Sequence, residues 1–213
     1  LETTFYNRTL QDNGLVRYGA SRDQLAQVIS GYDVIATSSI FTAQTRMHFE
    51  VAALAIEQGK LAISGGVNAV ALASHFYRHG FNFVRNSEQA LADLVVNPTP
   101  TWKTLDDLPL PALDSLPLET YWKIGIPHAG LLPKGTRFAS IQTSRGCQDR
   151  CTFCHISMEK ERGEGYLRTF SFDYIKRYVD YARSLGIQRL YFEDDNLFFS
   201  KKRLYDLHPI LKR

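Results

Sequence analysis

All three cysteines of the 213-residue chain lie close together, at Cys147, Cys151 and Cys154, with the spacing C-x3-C-x2-C. A disulfide framework normally spreads an even number of cysteines along a chain. Three neighbouring thiols fit a reducing compartment and a metal or cluster site better, so the expected location is cytoplasmic. Thiolates are the usual protein ligands of iron–sulfur clusters, and three of them leave one iron of a four-iron cluster without a protein ligand. That vacancy can take a substrate or cosubstrate. The plainer alternative is a structural zinc site of Cys3His type with His155 as fourth ligand. His155 directly follows Cys154, which makes shared tetrahedral ligation awkward, and no second cysteine pair is near.

The elements expected around this loop place it at a strand end. Residues 138–143 read as a strand leading into the cysteines. Residues 172–185 have helical spacing, with Ile175, Tyr178, Val179 and Ala182 on one face, and Gly186 ends them. A second strand over 188–192 runs into the acidic cluster Glu193, Asp194, Asp195 and Asn196. Taken alone, that cluster is a solvated strand end; its place one β/α unit after the cysteines raises its interest. A helix over 201–211 follows, and Lys201, Lys202 and Arg203 read as a solvated helix face.

The first half alternates helix and strand. Helices are expected over 21–30, 42–58, 69–78 and 87–95, with strands over 33–38, 61–64 and 81–84. Ser21 and Gln24 form a capping box for the first helix. Such alternation means a parallel sheet covered by helices. Between these halves the pattern changes: five of the eight prolines sit at 98, 100, 109, 111 and 117. Pro-rich segments stay extended, so this reads as a linker, with Tyr121 and Trp122 as its anchor. The expected division is a first domain over 1–97, a linker over 98–136 and a second domain over 137–213.

A formal net charge of +3, spread along the chain, gives no argument for nucleic acid. No uncharged apolar run is long enough to span a bilayer, and no signal peptide is visible.

The cysteine spacing, the aromatic Phe153 before the last cysteine and the preceding Thr143, Ser144, Arg145 and Gly146 resemble the radical S-adenosylmethionine superfamily. The resemblance implies a 4Fe-4S cluster on Cys147, Cys151 and Cys154, whose open iron binds the amino and carboxylate groups of S-adenosylmethionine. It implies reductive cleavage to a 5′-deoxyadenosyl radical, with an electron donor such as flavodoxin or ferredoxin. Phe153 would lie beside the adenine. Many relatives carry Gly-Gly-Glu at the next strand end to hold the methionine amino group. Here that place reads Phe-Glu-Asp-Asp-Asn, which makes Glu193, Asp194 and Asp195 the candidates, Asp194 or Asp195 foremost.

The first domain resembles the cobalamin-binding domain that precedes many such enzymes. Ser38 and Ser39 stand where that family faces the corrinoid tail, and Gly65 and Gly66 stand at the next strand end, where glycine lets backbone approach a ligand. The family's upstream Asp-x-His-x-x-Gly is not matched; His48, His75 and His79 read as surface or core histidines. The resemblance implies a Rossmann-like cobalamin-binding domain followed by the first β/α units of a radical S-adenosylmethionine partial TIM barrel. The chain begins at Leu1 and holds about two barrel units, so a fragment truncated at both ends is expected. The implied function is a cobalamin-dependent methyltransferase or another radical transformation of a small molecule at an unactivated carbon. Two alternatives stand beside it: a cluster enzyme whose corrinoid domain is vestigial, and a zinc-stabilised interaction module.

Overall fold

The structure is a computed structural model, and it describes residues 8–10, 16–85, 88–96, 101–124, 132–133, 135–156 and 167–212. Contacts divide the chain into two units, Glu2–Thr101 and Trp102–Arg213.

The first unit opens with a short antiparallel pair, β1 (Arg8–Leu10) and β2 (Val16–Tyr18). α1 (Arg22–Ser30) starts where its capping chemistry dictates: Ser21 Oγ accepts from the Gln24 amide at 3.2 Å, and the Gln24 side chain accepts from the Ser21 amide at 2.8 Å. β3 (Val34–Ser38), β4 (Leu61–Gly65) and β5 (Phe83–Val84) form a parallel three-stranded sheet in that order. Parallel neighbours need helical crossovers, and α2 (Thr45–Glu57) supplies the first.

The second crossover is expected as one helix but is two, α3 (Val67–Ala71) and α4 (Ala73–Arg78). The break at Leu72 lets the first piece keep Asn68 on the loop after β3 while the second seats Phe76 in the core. α5 (Glu88–Val95) completes the unit; Ser87, its expected start, lies outside the described residues.

The core joins small and aromatic side chains. Ala52, Ala55, Ala62 and Ala69 bring helix and sheet backbones close, and Phe76 fills the centre. Phe49 meets Phe76 edge-on at 5.2 Å and Phe81 lies 5.1 Å from it, geometries aromatic pairs prefer.

The second unit begins earlier than its helical and strand periodicity suggests. Residues 102–124 of the expected linker pack onto it. Leu105, Leu113 and Trp122 are buried in its core. The Tyr174 hydroxyl donates to the Pro109 carbonyl at 3.1 Å, and the Ser171 amide donates to Asp106 at 2.8 Å. α6 (Leu118–Ile124) carries Trp122, whose indole donates to the Phe138 carbonyl at 2.9 Å. An extended proline segment builds no core alone, but its interspersed leucines can join a neighbour's core. Pro98 and Pro100 lie outside the described residues.

β6 (Phe138–Ile141) pairs in parallel with β9 (Arg189–Phe192), aligning Ile141 with Phe192. Between them run β7 (Ser144–Arg145), antiparallel to β8 (Arg168–Thr169), and α7 (Phe172–Ser184). α7 buries the expected face, Ile175, Tyr178, Val179 and Ala182. Burying each large side chain contributes roughly 1.5–3 kcal/mol. α8 (Lys201–Leu211) starts at Ser200, whose hydroxyl accepts from the Arg203 amide at 3.3 Å. Among the described residues no helix is long and apolar enough to cross a membrane.

Candidate functional site

β6 ends at Ile141, and the chain leaves the sheet at Gln142 toward the cysteines. Its parallel neighbour β9 ends level with it and continues into Glu193–Asn196. Parallel register therefore sets the acidic segment beside the cysteine loop. Functional groups of α/β proteins gather at such carboxyl ends.

The contacts follow chain order. Glu193 Oε1 accepts from the Ser140 hydroxyl at 2.6 Å. Asp194 Oδ1 accepts from the Thr143 amide at 3.0 Å, the Thr143 hydroxyl at 2.8 Å and the Ser144 hydroxyl at 2.6 Å. Asp195 Oδ2 accepts from the Gly146 amide at 2.7 Å. The Asn196 amide nitrogen lies 3.7 Å from Cys147 Sγ and donates to Asp149 Oδ2 at 3.3 Å. The Asp149 backbone N–H points at the same sulfur, 3.4 Å away.

Behind the loop, Arg203 donates to the carbonyls of Thr143 and Phe170, both at 2.9 Å, and its guanidinium lies 5.0 Å from the Phe172 ring centroid. Burial lowers its pKa, against the charges of Asp194 and Asp106, which raise it. The expectation of a solvated face thus holds for Lys201 and Lys202, which are exposed, and fails for Arg203. An arginine stem packs against apolar surface while its charged end reaches polar groups, and here one guanidinium nitrogen of Arg203 bridges both carbonyls. Nothing in local spacing separates it from the adjacent lysines.

The three cysteines are free thiols, Cys151 exposed and Cys147 and Cys154 half-buried. The Cys154 amide donates to the Cys151 carbonyl at 3.1 Å, closing a turn, and the chain turns helical at His155 and Ile156. Phe153, between Cys151 and Cys154, is 91% exposed. Among the described residues no group of three or more His, Cys, Asp or Glu side chains is disposed to hold a metal ion. Metal ligation supplies its own ordering free energy, and a ligand loop commonly closes only on its ion. By donor chemistry the loop offers three soft ligands, none in a disulfide, of the kind that iron–sulfur clusters and zinc both take, with N–H groups facing one sulfur.

In the first unit, Ser38 is exposed at the end of β3, whereas Ser39 is buried. Ser39 Oγ accepts from the Asn68 side chain at 2.8 Å, and its amide donates to the Gly65 carbonyl at 2.8 Å. Asn68 also reaches the hydroxyls of Thr45 at 2.8 Å and Thr42 at 3.2 Å. Gly66 has φ 90°, and a Cβ there would stand 2.3 Å from the Ser39 carbonyl oxygen. The two glycines and Ser39 come together, and the close approach that Gly66 permits is to the protein's own backbone. Asn68, the centre of this arrangement, has no sequence signal beyond following the Gly-Gly pair. His79 stacks on Phe49 at 3.7 Å, and His48 is half-buried with a lowered pKa because burial disfavours its charge.

The chain is a mixed α/β protein with a parallel three-stranded sheet. No family model matches it. Over 119 residues, 54% of the chain, it is 30% identical to an uncharacterized methyltransferase of Pyrococcus horikoshii. The chain spans 23% of the length of that relative.

Proposed function

We propose that the protein carrying this chain is a radical S-adenosylmethionine enzyme that transfers a methyl group to an unactivated carbon of a small molecule, with cobalamin as methyl carrier. The observation that carries the reading is the cysteine loop, seated at a strand end against a polar segment of the parallel neighbour. The likeness to a methyltransferase supports the reaction class.

In this reading Cys147, Cys151 and Cys154 hold the cluster. Once bound, it supplies an electron to S-adenosylmethionine through the iron that lacks a protein ligand. Phe153 offers an exposed aromatic face to an adenine ring. Of the three carboxylates Glu193, Asp194 and Asp195 beside the loop, that of Glu193 is exposed and, among the described residues, bonded only to the Ser140 hydroxyl on one oxygen, which suits an ammonium group. Buried Thr143 and Ser144 hold the loop's root and keep water from it. Ser38, Ser39, Gly65 and Gly66 line the strand ends where the corrinoid is proposed to lie.

A second reading keeps the cluster and drops the corrinoid. It is favoured by Ser39, whose side chain is buried and already bonded to Asn68.

Anaerobic purification of the chain and of its longer parent, with iron, sulfide and zinc assays, tests the cluster. Four irons and four sulfides per chain are expected; zinc without iron would refute it. Stoichiometric corrinoid uptake by the parent separates the first reading from the second.

A further inference from the structure

Three consecutive side chains at the end of β9 grip successive points of the cysteine loop: Asp194 takes Thr143 and Ser144, Asp195 takes Gly146, and Asn196 takes Cys147. A carboxylate oxygen offers about two lone-pair sites. Asp194 Oδ1 already receives three donors, and Oδ2 shares the Thr143 amide at 3.2 Å. Thr143 and Ser144 are fully buried, so their donors have no water to turn to if Asp194 is drawn away. A cosubstrate ammonium would have to compete with this set.

Asn196 is placed differently. Its amide and the Asp149 backbone N–H both face Cys147 Sγ, at 3.7 Å and 3.4 Å. Hydrogen bonds to a ligand sulfur are among the factors that set a cluster's potential, by stabilising the more negative, reduced state.

We propose, resting on the cluster reading above, that Asp194, Asp195 and Asn196 are positioning residues of the cysteine loop and not cosubstrate ligands, and that the Asn196 amide makes the cluster on Cys147 easier to reduce.

The seating is tested in metal-free chain by hydrogen exchange. Asp194→Leu, which removes both acceptor oxygens from the buried Thr143 and Ser144 donors, is expected to speed exchange of the Thr143 amide about tenfold or more. Thr143→Val should do part of the same, and the double variant should fall short of the sum, because the two share one bond. The tuning is tested on anaerobically loaded chain. Asn196→Leu is expected to keep the iron and sulfide content of the unaltered chain and to shift the midpoint potential to more negative values. Unchanged exchange in Asp194→Leu, together with weakened S-adenosylmethionine binding to loaded chain, would overturn the seating role. An unchanged potential in Asn196→Leu would overturn the tuning role. Failure of every form to take up iron would sink the cluster reading and the tuning with it, and leave the exchange result to decide the seating.

Discussion

The Thr143 hydroxyl donates to Asp194 Oδ1 across 2.8 Å, tying the second residue beyond one strand to the second residue beyond its parallel neighbour. The pair lies beside β6 and β9 in parallel register, so the bond couples two loops distant in sequence. Arg203 closes the arrangement from behind, through the Thr143 carbonyl.

Replacing Arg203 with Met should lower the stability of the second unit by about 2 kcal/mol, because two carbonyls lose a charged donor while the packed stem is kept. Urea unfolding followed by tryptophan fluorescence reads it, since Trp122 lies in that core. An unaltered midpoint would mean that water satisfies the carbonyls equally well.

Gly66→Ala should be among the most damaging single changes in the first unit, costing more than ~3 kcal/mol. The new methyl meets backbone at 2.3 Å and φ is positive, so neither can yield cheaply. Asn68→Ala should cost about 1–3 kcal/mol by stripping Ser39 and Thr45 of their partner. Thermal melts of the variants rank them, with Gly66→Ala below Asn68→Ala.

Two groups set opposite pH limits. The Tyr178 phenol is pushed up from 10.0 to about 12, first by burial and then by Glu193 nearby, and it donates to the Ser140 carbonyl. A raised phenol favours its neutral form in the folded state. Its contribution is whole below pH 10.0 and is lost as pH rises through 12. Tyr178→Phe should be less stable near neutrality and lose less between those limits.

His48 works at the acid side. Burial depresses its pKa below 6.5, so the folded state prefers the neutral ring. The contribution is present above pH 6.5 and is lost as pH falls through the lower folded value. A His48→Gln variant should show a shallower fall in urea midpoint between pH 7 and pH 5.

Cys151→Ala should abolish cluster uptake while leaving the first unit folded. The assay is iron and sulfide content beside far-ultraviolet circular dichroism. A full complement of iron in that variant would remove Cys151 from the ligand set.

Much of this was readable because the physics is local. Ser21 and Gln24 announce α1 by capping chemistry, and the face of α7 follows from helical spacing. The acidic segment could be placed beside the cysteine loop because consecutive parallel strands end on the same side. What escaped depends on partners far along the chain. Arg203 looks like its lysine neighbours until α8 is packed behind the cysteine loop. Leu105 and Leu113 are hidden by prolines that signal extension but say nothing about what the extended chain lies against. Leu72 breaks its helix between two anchors, Asn68 and Phe76, that periodicity reads as one.

The strap from Trp102 to Ile124 bears on any attempt to produce the cysteine-bearing half by itself. A boundary drawn where the helices and strands resume, near Arg137, would discard Leu105, Leu113 and Trp122 and bare the greasy wall they cover. Expression of that half should start upstream of Trp102; shorter versions are expected to precipitate.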